Sequence, residues 1–154
     1  MRNAIFASAA LLMLAACNSN TAPGNDRMAE LEAAPSAAPQ ASAAGALESV
    51  APEGLYPGIL TDADIASIGD ISNLCMFRMD RVGFPAFVHG GNGGGTIKLN
   101  GKLIALSQGG NGTYFDGGLI VELDENAGSG DDAKMIIRIP GATDELGFRV
   151  YSSC

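Results

Sequence analysis

The sequence predicts an all-β fold: a small antiparallel β-barrel or sandwich of about eight strands, closed by a disulfide and preceded by one short helix. From Leu74 onward, short segments alternate apolar and polar residues with period two, which is typical of half-buried strands. Tight-turn dipeptides such as Asn100-Gly101 separate these segments. Two cysteines, Cys75 and Cys154, stand at the two ends of this region.

The helix is predicted over residues 62–68. Thr61 fits an N-cap, and Asp64, three residues later, stands where a capping box has Glu or Gln. Gly69 suits the position just after the helix, where the backbone often takes a positive φ.

The strands are predicted at 74–80, 84–89, 96–100, 102–107, 113–116, 118–124, 133–139 and 146–153. Asn100-Gly101 and Asp116-Gly117 are predicted to form tight turns between neighbouring strands. A two-residue turn at Asn100-Gly101 puts four apolar residues on one face: Ile97, Leu99, Ile104 and Leu106.

Residues 1–16 have the pattern of a secretory signal peptide, with Arg2 followed by an apolar run from Ala4 to Ala16. The run is too short for a transmembrane helix, which needs about 20 apolar residues. Leu14-Ala15-Ala16-Cys17 resembles the lipobox of bacterial lipoproteins, in which the cysteine thiol receives diacylglycerol and the chain is cut before it. The resemblance implies lipidation of Cys17 and attachment to the membrane through that lipid.

We therefore expect an exported protein, anchored in a bacterial cell envelope. Asn18 follows the cysteine where an aspartate would mark inner-membrane retention, which favours the outer membrane, facing the periplasm. Residues 17–55 are rich in Ala, Pro and Ser and contain few large apolar residues, so a disordered tether is predicted there. The β domain is predicted over residues 56–154.

In an exported protein Cys75 and Cys154 are predicted to pair. The first and last strands would then be antiparallel neighbours, and the sheet would expose no edge. The bridge would close a loop of about 80 residues and stabilise the domain by about 4 kcal/mol.

The formal net charge of −8 argues against nucleic-acid binding through charge. A basic protein or an envelope polymer remains a possible partner. Arg78, Arg81, Lys98 and Lys102 would form either a basic patch on neighbouring strands or polar outer faces with paired charges.

Two loops invite a ligand hypothesis. The glycine-rich loop 90–95 is followed by a predicted strand and not a helix, so it is not a phosphate loop, although Asn92 at its centre could contact a partner. The acidic loop 124–132 fails the EF-hand pattern at Gly128, Ser129 and Met135, so a solvated hairpin loop is predicted.

No pattern in the sequence indicates catalysis, a metal site or a cofactor, and we predict a protein that is not an enzyme. His89 is the single histidine. An enzyme would require polar groups to converge around His89, Asp80 or Glu122, which lie in different predicted segments.

Two further resemblances concern the β domain. The Cys75-Met76-Phe77 opening, the Lys98–Leu103 hairpin and the C-terminal cysteine resemble a group of uncharacterised lipoproteins and secreted proteins of alphaproteobacteria. The overall plan is similar to the membrane-bound inhibitors of c-type lysozyme, small β-barrel lipoproteins with a Ser-Gly-x-x-Tyr inhibitory loop. The nearest stretch is Asn111-Gly112-Thr113-Tyr114, which lacks the serine and is one residue short.

These observations predict a lipid-anchored envelope protein whose β domain has a non-catalytic binding or structural role. Inhibition of c-type lysozyme is the alternative, and it would use the loop Asn111, Gly112, Thr113 and Tyr114. An envelope enzyme of unknown class is the second alternative.

Overall fold

The computed structural model of the protein describes residues 34–69, 73–90, 93–125, 127–128 and 130–154. In chain order the elements are β1 Gln40–Ala41, α1 Ala43–Leu47, a 3₁₀ turn Pro52–Gly54, α2 Asp62–Ile68, β2 Cys75–Arg78, β3 Pro85–His89, β4 Gly94–Leu99, β5 Lys102–Gly110, β6 Thr113–Asp116, β7 Leu119–Asp124, β8 Asp132–Arg138 and β9 Leu146–Ser153. The predicted leader and Cys17 lie outside the described residues.

Strands β2 to β9 form a closed antiparallel barrel in which each strand pairs with its neighbours along the chain. Pairing of β2 with β9 and of β5 with β6 completes the ring. The predicted all-β class is confirmed, and of the two architectures left open the structure has the barrel. Each of the eight predicted strands is present, with ends shifted by a few residues at most.

The barrel interior is filled by side chains from the inner face of each strand, as the alternating pattern predicts. The hairpin residues predicted to share one face are all buried in this core: Ile97, Leu99, Ile104 and Leu106. Phe77, Phe87 and Tyr114 supply its aromatic part, and the lumen is therefore a packed core.

The predicted turn at Asn100-Gly101 is present, with both residues at positive φ, 49° and 70°. The other predicted turn is displaced by one residue. Asp116 pairs with Leu119 at the end of the β6–β7 ladder, so the turn residues are Gly117 and Gly118, at φ 54° and 101°. Glycine tolerates positive φ without steric cost, which explains the displacement.

The predicted tether of residues 17–55 is too long, because the folded unit begins at Pro35 and not at residue 56. Strand β1 pairs in parallel with β5 at Leu103 and Ile104. Helix α1 follows, and its Ala43 and Ala46 are completely buried in the barrel core. Small alanines suit this close packing, but they carry little of the apolar signal that distinguishes a domain from a linker.

Helix α2 has the predicted limits and N-terminus. Thr61 Oγ1 accepts from the backbone N–H of Asp64, and the Asp64 carboxylate accepts from the backbone N–H of Thr61. The helix covers the outer barrel wall, where a second apolar cluster is buried: Leu60, Val88 and Leu103, with Ala38, Ile65, Ile68 and Met76 packed against it. None of the helices in the described ranges is long and apolar enough to span a bilayer.

The antiparallel order gives the barrel two distinct ends. The connections after β3, β5 and β7 lie at one end, which we call the disulfide end because Cys75 and Cys154 are joined there. The connections after β2, β4, β6 and β8 lie at the other, which we call the α1 end. There Asn100 and Lys102 donate side-chain hydrogen bonds to the carbonyls of Ala46 and Gly45.

Candidate functional site

The disulfide between Cys75 and Cys154 confirms the predicted pairing. It spans 79 residues of sequence and fixes β2 beside β9, antiparallel as predicted. Among the other predicted site residues, Cys17 and Asn92 fall outside the part of the chain that the structure describes.

A groove of about 710 Å³ lies at the disulfide end, beside the turn between β5 and β6. It contains three of the residues predicted to contact a partner, Asn111, Gly112 and Thr113, together with side chains from β7 and β8. The additional lining residues are Glu122, Leu123, Asp124, Glu125 and Ile136. The groove is the candidate functional site, because it joins the predicted contact loop to a cluster of carboxylates.

The β5–β6 turn is held firmly against β7. Asn111 and Gly112 both adopt positive φ, 50° and 73°, and the carbonyl of Gly112 accepts a hydrogen bond of 2.8 Å from the backbone N–H of Leu123. A Cβ on Gly112 would collide with the carbonyl oxygen of Leu123, so only glycine fits there. Asn111 is exposed at the rim of the groove, where a partner could reach its amide.

Tyr114 corrects the sequence prediction. Its side chain is only 2 % exposed and points into the barrel, with its ring centroid 5.0 Å from Phe87 and 5.4 Å from His89. The pairing of Tyr114 with inward-facing Val121 explains this orientation. Tyr114 is therefore a core residue and cannot supply a tyrosine contact like that of the lysozyme inhibitors.

His89 belongs to the same aromatic cluster. Its ring stacks between Phe77 and Tyr114, and its Nε2 atom is buried without a hydrogen-bond partner among the described residues. Burial lowers the pKa of His89 below 6.5, and the negative charge of Glu125 opposes that shift. The neutral imidazole of His89 thus packs as one more ring in the aromatic core at the disulfide end. Period-two alternation from Phe87 would have indicated this inward orientation.

The residues that line the groove include three carboxylates and no basic side chain. Glu122 forms an ion pair with Arg138, which also pairs with Glu145 at 2.7 Å, and these carboxylates raise the pKa of the guanidinium. Burial raises the pKa of Tyr114, and the charge of Glu125 raises it further. Glu125 therefore lines the groove and also acts through its charge on His89 and Tyr114 in the adjacent core. Its position in a predicted loop did not reveal this role.

The residues proposed for an enzyme do not meet. His89 ends β3 at the disulfide end, whereas Asp80 lies in the β2–β3 connection at the α1 end, where its carboxylate accepts from the backbone N–H groups of Val82 and Gly83. Glu122 is on β7, four strands away from β3. No group of three or more His, Cys, Asp or Glu side chains suited to a metal ion occurs among the described residues.

The four cations considered as a basic patch have separate roles. Lys98 and Lys102 attach α2 and α1 to the barrel by donating to Asp64 and to the carbonyl of Gly45, each at 2.8 Å. Arg81 lies 3.5 Å from Asp132 and stacks over the ring of Tyr151. Arg78 is directly opposite Tyr151 on the outer wall formed by β2 and β9.

Comparison with known proteins gives a family. Residues 13–154, most of the chain, match the family described as Domain of unknown function (DUF6692). No curated protein and no solved structure matches the chain. The match includes Cys17, the β5–β6 turn and both disulfide cysteines. The chain belongs to the DUF6692 family.

Proposed function

We propose that the chain is an exported lipoprotein that is anchored through Cys17 and uses its barrel to bind a basic protein partner without catalysis. The anchor is supported by the leader at residues 1–16 and by Leu14-Ala15-Ala16-Cys17. The family match begins at residue 13, so the lipobox-like stretch falls inside it. Several acyl chains on one cysteine would hold the protein stably, whereas a single chain gives only marginal binding.

The acidic groove is the observation that supports a binding role. It combines the exposed Asn111 with the carboxylates of Glu122, Asp124 and Glu125 in one concave surface. Carboxylates arranged in a concave surface focus their field, which attracts a basic partner and orients it. The turn is tied to β7, so little ordering entropy is lost when a partner binds.

Inhibition of a c-type lysozyme is the second candidate, because a lysozyme is a small basic protein and Asn111 stands on an accessible loop rim. The buried Tyr114 removes one of the contacts expected from the resemblance. Such an inhibitor would have to act through Asn111, Thr113 and the neighbouring carboxylates.

Photo-crosslinking in cells tests the proposed site. A photoreactive amino acid replaces Asn111 in the full-length, lipidated protein, and the same amino acid at exposed Asp144, at the α1 end, serves as the control. We expect a basic envelope protein to crosslink from position 111 and not from position 144. Crosslinking from 144 alone, or to an acidic protein, would overturn the groove as the binding site.

Charge variants then measure the contribution of the groove. Asp124→Asn with Glu125→Gln should weaken binding of the crosslinked partner about tenfold or more, since desolvated charge pairs contribute several kcal/mol. The charge-matched control, Glu48→Gln with Asp144→Asn, should bind normally. A c-type lysozyme is tested in parallel, and stoichiometric binding with loss of its activity would select the inhibitor hypothesis over other basic partners.

A further inference from the structure

The connection between β2 and β3 exposes three apolar side chains to solvent. Met79, Val82 and Phe84 are 37 %, 96 % and 46 % exposed, although they lie within six residues of one another. The connection is ordered by the carboxylate of Asp80, which accepts from the backbone N–H groups of Val82, at 3.0 Å, and Gly83. An apolar loop held outward at one end of a barrel is typical of a surface that contacts another phase or another molecule.

Arg78 stands at the base of this loop, between two hollows. One, of about 340 Å³, is mainly apolar and includes Ile65, Met76, Val82 and Phe84. The other, of about 450 Å³, is polar and includes Arg81, Tyr151 and Ser153. Arg78 lines both, and its guanidinium contacts the sulfur of Met76 at 3.3 Å but forms no ion pair within the described residues.

The described chain enters the barrel surface beside the apolar hollow. The backbone N–H of Ala38 donates to the Asp64 carboxylate at 2.6 Å, and Ala38 packs against the same outer cluster as Ile65 and Met76. Residues 18–37, 20 in number, connect Ala38 to Cys17. A lipid on Cys17 would therefore be connected to the barrel at Ala38, beside the apolar hollow that Val82 and Phe84 line.

We propose that the loop 79–84 is a second membrane contact, which docks the tethered barrel on the phospholipid surface. This inference rests on the lipid anchor proposed above. Met79, Val82 and Phe84 enter the boundary between headgroups and acyl chains, and the Arg78 guanidinium binds a lipid phosphate. Because the anchor keeps the loop at high effective concentration near the bilayer, a weak contact is sufficient.

The charges around the loop explain how an acidic protein docks on a phosphate-bearing surface. Asp62 and Asp131 line the hollows and offset the nearby cations, and Asp132 pairs with both Arg81 and Arg149. The long-range electrostatic attraction between these residues and the lipid phosphates is therefore small. Insertion of the apolar side chains of the loop, with one contact between Arg78 and a phosphate, provides the binding.

A fluorescent probe on the loop tests this docking. The native lipidated protein with Val82→Cys carries an environment-sensitive dye and is reconstituted into phosphatidylethanolamine–phosphatidylglycerol vesicles. Phe115→Cys is the control, because Phe115 is also an exposed apolar residue, at 45 % against 96 % for Val82, and lies on β6, four strands from β2 in either direction around the ring. We expect blue-shifted emission and quenching by spin-labelled lipid at position 82 and neither effect at position 115.

Flotation of the same vesicles separates the two proposals. If the protein does not float with the vesicles, the lipid anchor is wrong. If it floats while the dye at position 82 stays in water, the anchor stands and the docking is overturned. Arg78→Gln should lower the docked fraction about fivefold relative to the undocked fraction, and Lys134→Gln, an exposed control on β8, should not. Equal docking in both variants would remove Arg78 from the contact.

Discussion

The Nζ atom of Lys98 on β4 lies 2.8 Å from Oδ2 of Asp64 on α2, and Asp64 has no exposed surface. The same carboxylate accepts from the backbone N–H groups of Ala38 and Thr61, at 2.6 and 2.9 Å. Burial alone would raise the pKa of Asp64, but the hydrogen bonds from Ala38, Lys98 and Thr61 hold that pKa well below 3.8. One carboxylate thus joins the incoming chain, α2 and the barrel wall.

Asp64→Ala should lower the free energy of unfolding by about 3–5 kcal/mol, because it leaves the Lys98 ammonium without its partner in a mostly buried position. Urea denaturation measures the loss. Asp62→Ala, two residues earlier on the exposed side of the same helix, should cost much less. Equal losses for the two variants would show that the pairing contributes nothing beyond the helix itself.

The low pKa of Asp64 also predicts an acid dependence. The folded carboxyl releases its proton more easily than the unfolded one, so its stabilising contribution is complete above pH 3.8 and is lost as the pH falls below that value. Urea titrations between pH 5 and pH 2.5 should show a smaller fall in stability for Asp64→Ala than for the wild type. Parallel curves would contradict the assignment.

From the lowered pKa of His89 we predict a second pH dependence of stability, at higher pH than that of Asp64. Its folded pKa lies below 6.5, so the unfolded chain binds a proton first, and stability should decrease as the pH falls through and below 6.5. His89→Phe preserves the stacking with Phe77 and Tyr114 and should flatten the melting temperature between pH 7.5 and pH 5.5. A slope unchanged by this substitution would assign the effect to other groups.

The disulfide predicts a large effect of reduction. Since Cys75 and Cys154 are separated by 79 residues, breaking their bond should destabilise the barrel by about 4 kcal/mol. Thermal unfolding with and without dithiothreitol measures this difference. The variant with serine at both positions should start near the reduced stability and should not respond to the reductant.

We predict that the aromatic cluster has no room for a side chain at position 95, where the protein has glycine. A Cβ at this position would lie 2.5 Å from Cζ of Phe87 and 2.9 Å from Cδ1 of Tyr114, so Gly95→Ala should destabilise the protein by about 1–3 kcal/mol. Gly54→Ala is the control, since no atom lies within 4 Å of its added methyl. A neutral Gly95→Ala would mean that the two rings can shift freely.

The sequence allowed the strand set, helix α2, the first hairpin turn and the disulfide to be predicted, because each depends on local chemistry or on cysteine count. Thr61 and Asp64 identify the start of α2 by a mechanism that needs no tertiary information. Barrel and sandwich could not be distinguished, because closure depends on the pairing of β5 with β6, which period-two alternation does not encode.

The candidate site was predicted in part. Asn111, Gly112 and Thr113 do lie at a groove, but Tyr114 was assigned to the loop on the strength of a motif although alternation places it inside. The contribution of Glu125 could not be predicted, since its effect on His89 and Tyr114 depends on the tertiary structure. The segment from Pro35 to Val50 was missed because alanine-rich packing resembles a linker in composition.

Strand β1 has a consequence for self-association. At Leu103 and Ile104 the side of β5 that β6 does not reach is covered by Gln40 and Ala41, and the N–H of Leu103 donates to the carbonyl of Pro39 at 2.9 Å. A chain cut at residue 56 would leave those backbone groups open, as in an unprotected sheet edge. Two such chains should therefore add strand to strand at the exposed edge of β5, because a strand of a second copy would take the place that β1 fills in the longer chain.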